Sequence, residues 1–201
     1  MRHIISAMED EPRFIDTDKQ RKKRVIIALI AVVTIVVIAV VSAVLVKKFV
    51  IATFIVQGSS MYPTLDGGGA AEDDGDVLLL NRLADPERGD IIVFTYNWDP
   101  DPDKPPKALV KRVIGLPGDR VVIENNVLYV NGNKVDEPYI NGEMHTPDID
   151  ITVRQGHYFV LGDNRDDSTD SRRIGQVPAD TVIGRCFLIV GTDNRLRFPD
   201  K

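Results

Sequence analysis

Residues that bind metals or form disulfides are scarce in this chain of 201 residues. Cys186 is the only cysteine, which excludes an intrachain disulfide and a zinc site built from several cysteines. The three histidines, His3, His145 and His157, lie far apart and lack the spacing of metal ligands. We therefore expect neither a metal nor any other cofactor.

The chain also lacks an excess of positive charge, since its formal net charge at pH 7 is −5. A protein whose affinity for nucleic acid rests on phosphate neutralisation carries the opposite balance. We therefore expect no nucleic-acid partner.

One long apolar run is present, at residues 25–46, and its 22 residues include no charged side chain. About 20 such residues cross a lipid bilayer as a helix. A buried core helix is the alternative, but a domain of this size rarely hides an all-apolar helix of that length. A removable secretory signal would have a shorter apolar stretch followed by a small-residue cleavage site. The run therefore predicts a retained transmembrane helix.

The charges on either side of this run predict its orientation. Five basic residues lie at positions 19–24, whereas only Lys47 and Lys48 follow the run directly. The positive-inside rule then makes residues 1–24 a cytoplasmic tail and places residues 47–201 on the extracytoplasmic face of the cell membrane. Beyond Lys48 there are 16 basic and 25 acidic residues, a formal charge of −9, so we expect contact with the bilayer to be apolar.

The rest of the chain has the composition of β structure. The Asn131-Gly132 pair is a strong hairpin signal, and no convincing amphipathic helix separates the short apolar runs. We predict a mostly β protein, with a single antiparallel β domain at residues 47–201 after the one transmembrane helix. Residues 66–76, rich in glycine, and 99–106, rich in proline, are predicted as surface loops. The predicted strands are 49–56, 77–80, 91–94, 109–114, 121–124, 127–130, 158–161, 182–190 and 196–198.

Ser60 lies in the stretch Gly58-Ser59-Ser60-Met61-Tyr62-Pro63-Thr64-Leu65. A turn before Pro63 explains an isolated serine of this kind, whereas a nucleophilic serine needs a base that is deprotonated near neutral pH. His157 and Lys111 are the two candidates. Lys111 lies in a β-branched run, where it either points to solvent by strand alternation or is buried and loses its charge. From the pattern alone the solvent-facing orientation is favoured.

A third polar stretch, Gly162–Arg172, follows a predicted strand and combines hydroxyls, carboxylates and arginines. A surface turn with ion pairs has the same composition. The stretch also suits a set of groups that orients a neutral lysine.

The sequence resembles bacterial type I signal peptidases of the Gram-positive type. The resemblance lies in the apolar anchor and in four stretches that follow it, Ser60–Leu65, Arg88–Phe94, Lys111–Asp119 and Gly162–Arg172. These are membrane-anchored serine–lysine proteases that remove signal peptides from secreted preproteins. The resemblance implies such an endopeptidase, with preproteins and the lipid bilayer as partners and cleavage after small residues of the Ala-X-Ala type.

The resemblance also assigns roles to single residues. It implies Ser60 as the nucleophile, Lys111 as the general base and Ser168 as the group that orients the lysine amine. Asp170 and Arg172 would brace the site by ion pairing. Arg112 and Asp163 fall on motif positions of structural rather than chemical weight. Arg88, Gly89 and Asp90 are expected to shape the fold.

The chain departs from the family pattern at two positions. Gly58 stands where many relatives have a serine whose hydroxyl helps the oxyanion hole, so the backbone N–H of Ser60 must act with water or with backbone near Gly58. Asp167 stands where asparagine is usual, which affects local pairing. The large inserted domain of some relatives is also missing from the sequence given, so a single β domain should suffice.

Substrate selection can be predicted from side-chain size. A pocket lined by Phe54, Val56, Met61 and Val110 would be shallow and apolar and would accept alanine-like residues. An extended substrate would add as a strand at the Phe54–Gln57 edge.

Two other functions compete with the protease. A non-catalytic membrane assembly factor of the same fold is disfavoured because Ser60, Lys111 and Ser168 are all present. A self-cleaving regulator of the repressor type is disfavoured by the membrane span and by the lack of a DNA-binding segment. No pattern in the sequence indicates an oligomeric state.

Overall fold

A computed structural model of the chain describes residues 17–69, 74–99, 101, 103–140 and 144–200. The chain divides into two units, Met1–Val44 and Leu45–Lys201. The predicted cytoplasmic tail lies largely outside the described residues, which begin at residue 17.

In the described part of the first unit the chain forms one helix, α1, which spans Thr17–Phe49 and so ends beyond Val44. It begins before the predicted span and ends three residues after it, and its apolar side chains between residues 25 and 46 are all exposed. At about 1.5 Å per residue, the 22 uncharged residues cover about 33 Å, close to the thickness of a bilayer core. Among the described residues, α1 is the one helix long and apolar enough to cross a membrane.

The second unit is built from antiparallel β-strands, as predicted, and the fold class is confirmed. The strands are β1 (Ile51–Ile55), β2 (Val77–Asn81), β3 (Ile91–Tyr96), β4 (Lys107–Gly115), β5 (Arg120–Glu124), β6 (Val127–Val130), β7 (Asn133–Lys134), β8 (Ile149–Thr152), β9 (His157–Leu161), β10 (Val177–Pro178), β11 (Val182–Val190) and β12 (Leu196–Arg197). The larger sheet has the order β1-β2-β11-β3-β4-β9-β10, with β12 beside β11, and the smaller sheet has the order β7-β6-β5-β8.

All nine predicted strands are present, and five short elements were not among the predicted ranges. These are β7, β8, β10, a four-residue helix, α2 (Ser171–Ile174), and a 3-10 helix at Ala179–Thr181. Each is too short to show a periodicity, and β10 contains a proline that argues against a strand. The hairpin signal at Asn131-Gly132 is confirmed, because both residues have positive φ and connect β6 to β7.

The apolar core lies in separate clusters on the faces of the two sheets. One cluster contains Val56, Met61 and Leu65 together with side chains from β2, β3, β4 and β11. Met61 and Leu65 have no exposed surface. The segment that carries Ser60 is therefore anchored to the core by apolar side chains on its own turn.

The predicted loop at residues 66–76 is held at both of its described ends, while residues 70–73 lie outside the described part of the chain. A Cβ atom on Gly67 would lie 1.9 Å from the carbonyl oxygen of Gly58, so only glycine allows this backbone approach. At the other end the buried Asp76 carboxylate accepts hydrogen bonds from the backbone of Asp66 and Thr192 and from the Arg197 side chain. These contacts fix the start and the end of the loop.

Candidate active site

Ser60 lies in a tight turn that follows β1. The backbone N–H of Tyr62 donates to the carbonyl of Ser59 at 3.0 Å, and that of Leu65 donates to Met61 at 2.9 Å. Gly58 has a φ of 78°, which a side chain would make unfavourable, and nothing lies within 4 Å of the place of its missing Cβ. The turn thus leaves Ser60 partly exposed, between the exposed Ser59 and the buried Met61.

Lys111 lies on β4 and its side chain is buried, with 3% of its surface exposed. Its Nζ atom is 2.7 Å from Ser60 Oγ and 2.7 Å from the carbonyl oxygen of Val110. In the described part of the chain, no carboxylate lies within ion-pair distance of the amine. The structure therefore brings together the two residues predicted to react, and it buries the lysine that strand alternation alone would turn to solvent.

This burial decides the charge of Lys111. Loss of hydration lowers the pKa of the amine to about 8, and the negative charges of Asp170 and Asp163 oppose the shift without cancelling it. A lysine with this pKa is neutral in a minor but sizeable fraction, roughly a tenth to a fifth of molecules near physiological pH, and in that form its nitrogen has a lone pair for the Ser60 proton.

Asp170 and Arg172 form the ion pair predicted for them. The Arg172 guanidinium donates to both carboxylate oxygens of Asp170 at 2.8 Å, and Asp170 also accepts from the backbone N–H of Gly162 at 3.0 Å. Burial alone would raise the pKa of Asp170, but the hydrogen bonds and charge of Arg172 hold that pKa below its usual range. Asp170 therefore stays ionised and binds the start of α2 to Gly162.

A second buried ion pair lies behind Lys111, on the next residue of β4. Arg112 donates to the two carboxylate oxygens of Asp163 at 2.8 and 2.7 Å, and neither side chain is exposed. Asp163 also accepts from the Thr64 hydroxyl at 2.6 Å. The pair therefore ties β4 to the Ser60 turn and to the stretch that begins at Gly162.

A cleft of about 990 Å³ extends from Ser60 and Lys111 along two strands, β1 and the first half of β4. On its other side β1 has no neighbouring strand in the described part of the chain, and residues 107–111 of β4 pair only with β3. The cleft therefore runs between two strand edges whose backbone N–H and C=O groups are open to an added strand.

Residues 29–191 match the family described as "Signal peptidase, peptidase S26". The signal peptidase I of Bacillus caldolyticus is 39% identical over 68% of this chain and 78% of its own length. The signal peptidase IB of Staphylococcus aureus strain Mu50 is 35% identical over 70% of this chain and 78% of its own. The chain belongs to the signal peptidase family, peptidase S26. A crystal structure of a signal peptidase I from Enterococcus faecalis V583 is 37% identical, with a TM-score of 0.41 over 51% of this chain and 97% of that one.

Within this signal peptidase scaffold, Ser168 does not make the hydrogen bond predicted for it. Its buried hydroxyl makes no hydrogen bond of good geometry in the described part of the chain, but it lies near enough to Asp170 to help lower the pKa of that carboxyl. A Cβ atom on Gly162 would lie 2.2 Å from this hydroxyl and 2.5 Å from the carbonyl oxygen of Ser60. Ser168 therefore lies beside the backbone of the nucleophile, and its orienting role towards Lys111 stays a prediction.

The predicted substrate pocket needs a correction. Phe54 and Val110 line the cleft, although Val110 also belongs to the core cluster and is only 4% exposed. Val56 and Met61 do not line the cleft and lie in the core with 1% and 0% of their surface exposed. Ile55 and Gln57, on either side of Val56, line the cleft in its place. Met61 packs inwards because it anchors the turn.

The oxyanion hole was predicted at the backbone of Ser60, and the N–H of this residue is available for it. It donates to no acceptor in the described residues, whereas the carbonyl of Ser60 accepts from the N–H of Asn164 at 3.1 Å. Gly58 contributes no side chain to the site. A second donor is therefore not assigned.

Several residues of this signal peptidase site were missed because they lack a reactive group or lie outside its motifs. Glu137 forms a bidentate pair with the buried Arg165 at 2.6 and 2.9 Å, and Arg165 in turn donates to the carbonyl of Gly162 at 3.0 Å. The Tyr139 ring lies 3.8 Å from the guanidinium carbon of Arg112. In the sequence, Glu137 and Tyr139 stand on either side of Pro138 and form no motif that would indicate contacts with Arg165 and Arg112.

Asn164 and Asp167 hold Ser59, the residue before the nucleophile. The Asn164 side chain donates to the Ser59 carbonyl at 3.1 Å, and the Ser59 hydroxyl donates to the Asp167 carboxylate. Asp167, which stands where asparagine is usual in the family, is therefore hydrogen-bonded to Ser59. His157, the other candidate base, lies at the start of β9 with its Nδ1 atom 3.0 Å from the carbonyl oxygen of Gln155, and it does not line the cleft.

Proposed function

We propose that Ser60 and Lys111 carry out the peptide-bond hydrolysis of this family member. Membership of the family makes the chain a serine endopeptidase that cleaves signal peptides from preproteins. The observation that supports the assignment is the 2.7 Å contact between Ser60 Oγ and the buried amine of Lys111. A non-catalytic assembly factor is not favoured, because it would have no need for this contact.

In the proposed reaction, neutral Lys111 accepts the hydroxyl proton as Ser60 Oγ attacks the carbonyl carbon of the scissile bond. The tetrahedral intermediate collapses when the ammonium of Lys111 gives its proton to the leaving amine. Lys111, neutral again, then takes a proton from water, and the hydroxide attacks the Ser60 ester to release the signal peptide. The proton finally returns to Ser60 Oγ, so the dyad is restored.

The negative charge of each intermediate develops on the former carbonyl oxygen. The backbone N–H of Ser60 is the donor we assign to this oxygen, because the turn leaves it without another acceptor. Loss of one such donor typically costs about 10²–10³ in rate.

The cleft supports binding of the signal peptide as an extended strand between β1 and β4. The open strand edges would give backbone hydrogen bonds that do not depend on the substrate sequence. Near Ser60, Phe54 and Val110 limit the space for substrate side chains, which favours alanine-like residues before the cut. This explains selection by size rather than by charge at those positions.

The family is membrane-anchored, and α1 is consistent with an anchor. We further propose that residues 25–46 span the cell membrane once, with residues 1–24 in the cytoplasm and residues 47–201 outside. The five basic residues before the span support this orientation. An anchor in the same bilayer as the uncleaved preprotein raises the local concentration of substrate.

The test uses the full chain in detergent and a preprotein with Ala-X-Ala before its mature start. The wild type should release the mature protein, while Ser60→Ala and Lys111→Ala should lower the rate by about a thousandfold or more. His157→Ala is the matched control for the other candidate base and should cleave at the wild-type rate. Equal processing by the wild type and either dyad variant would reject the assignment.

A further inference from the structure

The cleft carries a charge at the end that lies away from Ser60. Lys107 is the first residue of β4, is exposed, and lines the cleft together with Thr53 of β1. It has no ion-pair partner among the described residues, whereas the nearby Lys104 is paired with Asp99. Lys107 is therefore a free cation at a wall of the proposed substrate site.

The charge balance of the cleft is opposite to that of its domain. Residues 49–201 carry a formal charge of −9, yet the described lining contains two lysines and no carboxylate. Lys111 is neutral when it acts as a base. Lys107 is then the one permanent charge in the described lining, and its field acts on any side chain of a bound peptide.

The distance along β4 fixes which part of a substrate Lys107 meets. Lys107 and Lys111 are four residues apart on the same strand, about 13 Å at 3.3 Å per residue. Strand alternation puts both side chains on the same face of β4. If the residue before the cut lies beside Lys111, a peptide that runs parallel to β4 along this edge brings its fifth residue before the cut beside Lys107.

We propose that Lys107 is a specificity-determining residue that favours preproteins with an acidic side chain at the fifth position before the cut and disfavours those with a basic one. The inference rests on the proposed function, because it assumes that the signal peptide lies in this cleft. It adds a selection by charge, at the far end, to the selection by size beside Ser60. Lys107 does not touch the reacting bond, so its effect is on the choice of substrate.

The experiment uses the full chain in detergent and three preproteins that differ only in Glu, Gln or Lys at the fifth position before an Ala-X-Ala cut. For the wild type we expect kcat/KM for the Glu substrate to exceed that for the Lys substrate by about fivefold at low salt, the size of an exposed charge effect. Lys107→Gln should remove the preference and Lys107→Glu should reverse it. In 0.5 M salt the preference should shrink towards one.

Lys134→Glu is the matched control, since Lys134 is an exposed lysine on β7 that does not line the cleft. It should keep the wild-type preference. Moving the Glu or Lys two residues towards the amino terminus should weaken the preference, which tests the register. A preference that is absent in the wild type, or unchanged in Lys107→Glu, would overturn the inference.

The Gln substrate separates this inference from the proposed function. If the wild type cleaves it and Ser60→Ala does not, the dyad stands, and the charge series alone decides on Lys107. If Ser60→Ala cleaves it as fast as the wild type, the proposed dyad fails first.

Discussion

Lys111 and Arg112 are adjacent on β4 and both are buried, but only Arg112 has a carboxylate partner for its charge. Arg112 has a bidentate carboxylate partner in Asp163 and further acceptors on the backbone, so its charge is neutralised in place. Lys111 has a hydroxyl and one carbonyl, so burial lowers its pKa to about 8. A buried cation with a partner serves the fold, and one without a partner becomes a base.

Replacing Lys111 with arginine, the side chain of its neighbour, should have the largest effect on activity. In Lys111→Arg the cation remains but cannot lose its proton near neutral pH, so we expect cleavage to fall by about a thousandfold or more. The rate of preprotein processing measures the effect. Lys111→Met, which removes the buried charge, should be equally inactive while keeping the wild-type circular dichroism spectrum. Activity of Lys111→Arg within tenfold of the wild type would contradict the role of a neutral lysine.

Removing the partner of Arg112 tests the other half of the comparison. Asp163→Asn leaves a buried guanidinium without a counter-charge and should cost about 3–5 kcal/mol of unfolding free energy. Urea unfolding followed by circular dichroism measures it. Arg120→Gln is the matched control, because Arg120 and Asp150 form a similar bidentate pair that is exposed, and its loss should cost less than about 1 kcal/mol. Equal losses in the two variants would mean that burial of the pair is irrelevant.

The ion pair beside Lys111 should tune the pH at which it works. In Arg172→Gln the Asp170 carboxylate is no longer neutralised, and its charge raises the pKa of Lys111. We expect activity at neutral pH to fall about two- to tenfold and to recover at higher pH. The pH profile of kcat is the measurement. A uniform loss at every pH would indicate damage to the fold instead.

The pH dependence of the cleavage rate and of stability in the wild type tests the same contrast, with the smallest expected effect. Cleavage should rise with pH through about 8, as Lys111 becomes neutral. Lys111 should add stability in the same direction, because between about pH 8 and the ordinary lysine pKa of 10.5 the unfolded chain holds a proton that the folded chain lacks. The buried Cys186 thiol, whose pKa burial raises to about 12, opposes this gain at the upper end of the range. Unfolding of the wild type and of Lys111→Met across the range measures the contribution of Lys111 as the difference between the two, and this difference should grow with pH. A rate that is flat from pH 6 to 10 would refute the depressed pKa.

The sequence predicted the architecture well because its strands are apolar, short and separated by turn residues with a defined backbone preference. Asn131-Gly132 is one such case, since both residues adopt positive φ in the hairpin. The two-residue β10 could not be predicted in this way. Its pairing with β9 depends on a partner distant in sequence rather than on a local pattern.

The site was predictable only where a family motif marked it. Alternation would have turned Lys111 to solvent, and the resemblance rather than the pattern favoured its burial. Side-chain direction at Val56 and Met61 was misjudged because the turn after β1 draws both into the core. Glu137 was missed because its partner, Arg165, lies 28 residues further along the chain. Contacts of this kind are set by the tertiary fold.

The glycine at position 162 has a consequence for when the enzyme becomes active. Its bare backbone lies against the carbonyl of Ser60, so two segments 102 residues apart in the sequence must meet before the nucleophile is held in place. Lys111 likewise loses its charge only once it is enclosed. An emerging chain therefore has an inert serine and an ordinary lysine. The reactive form of both residues therefore depends on the folded domain, because neither segment alone provides it.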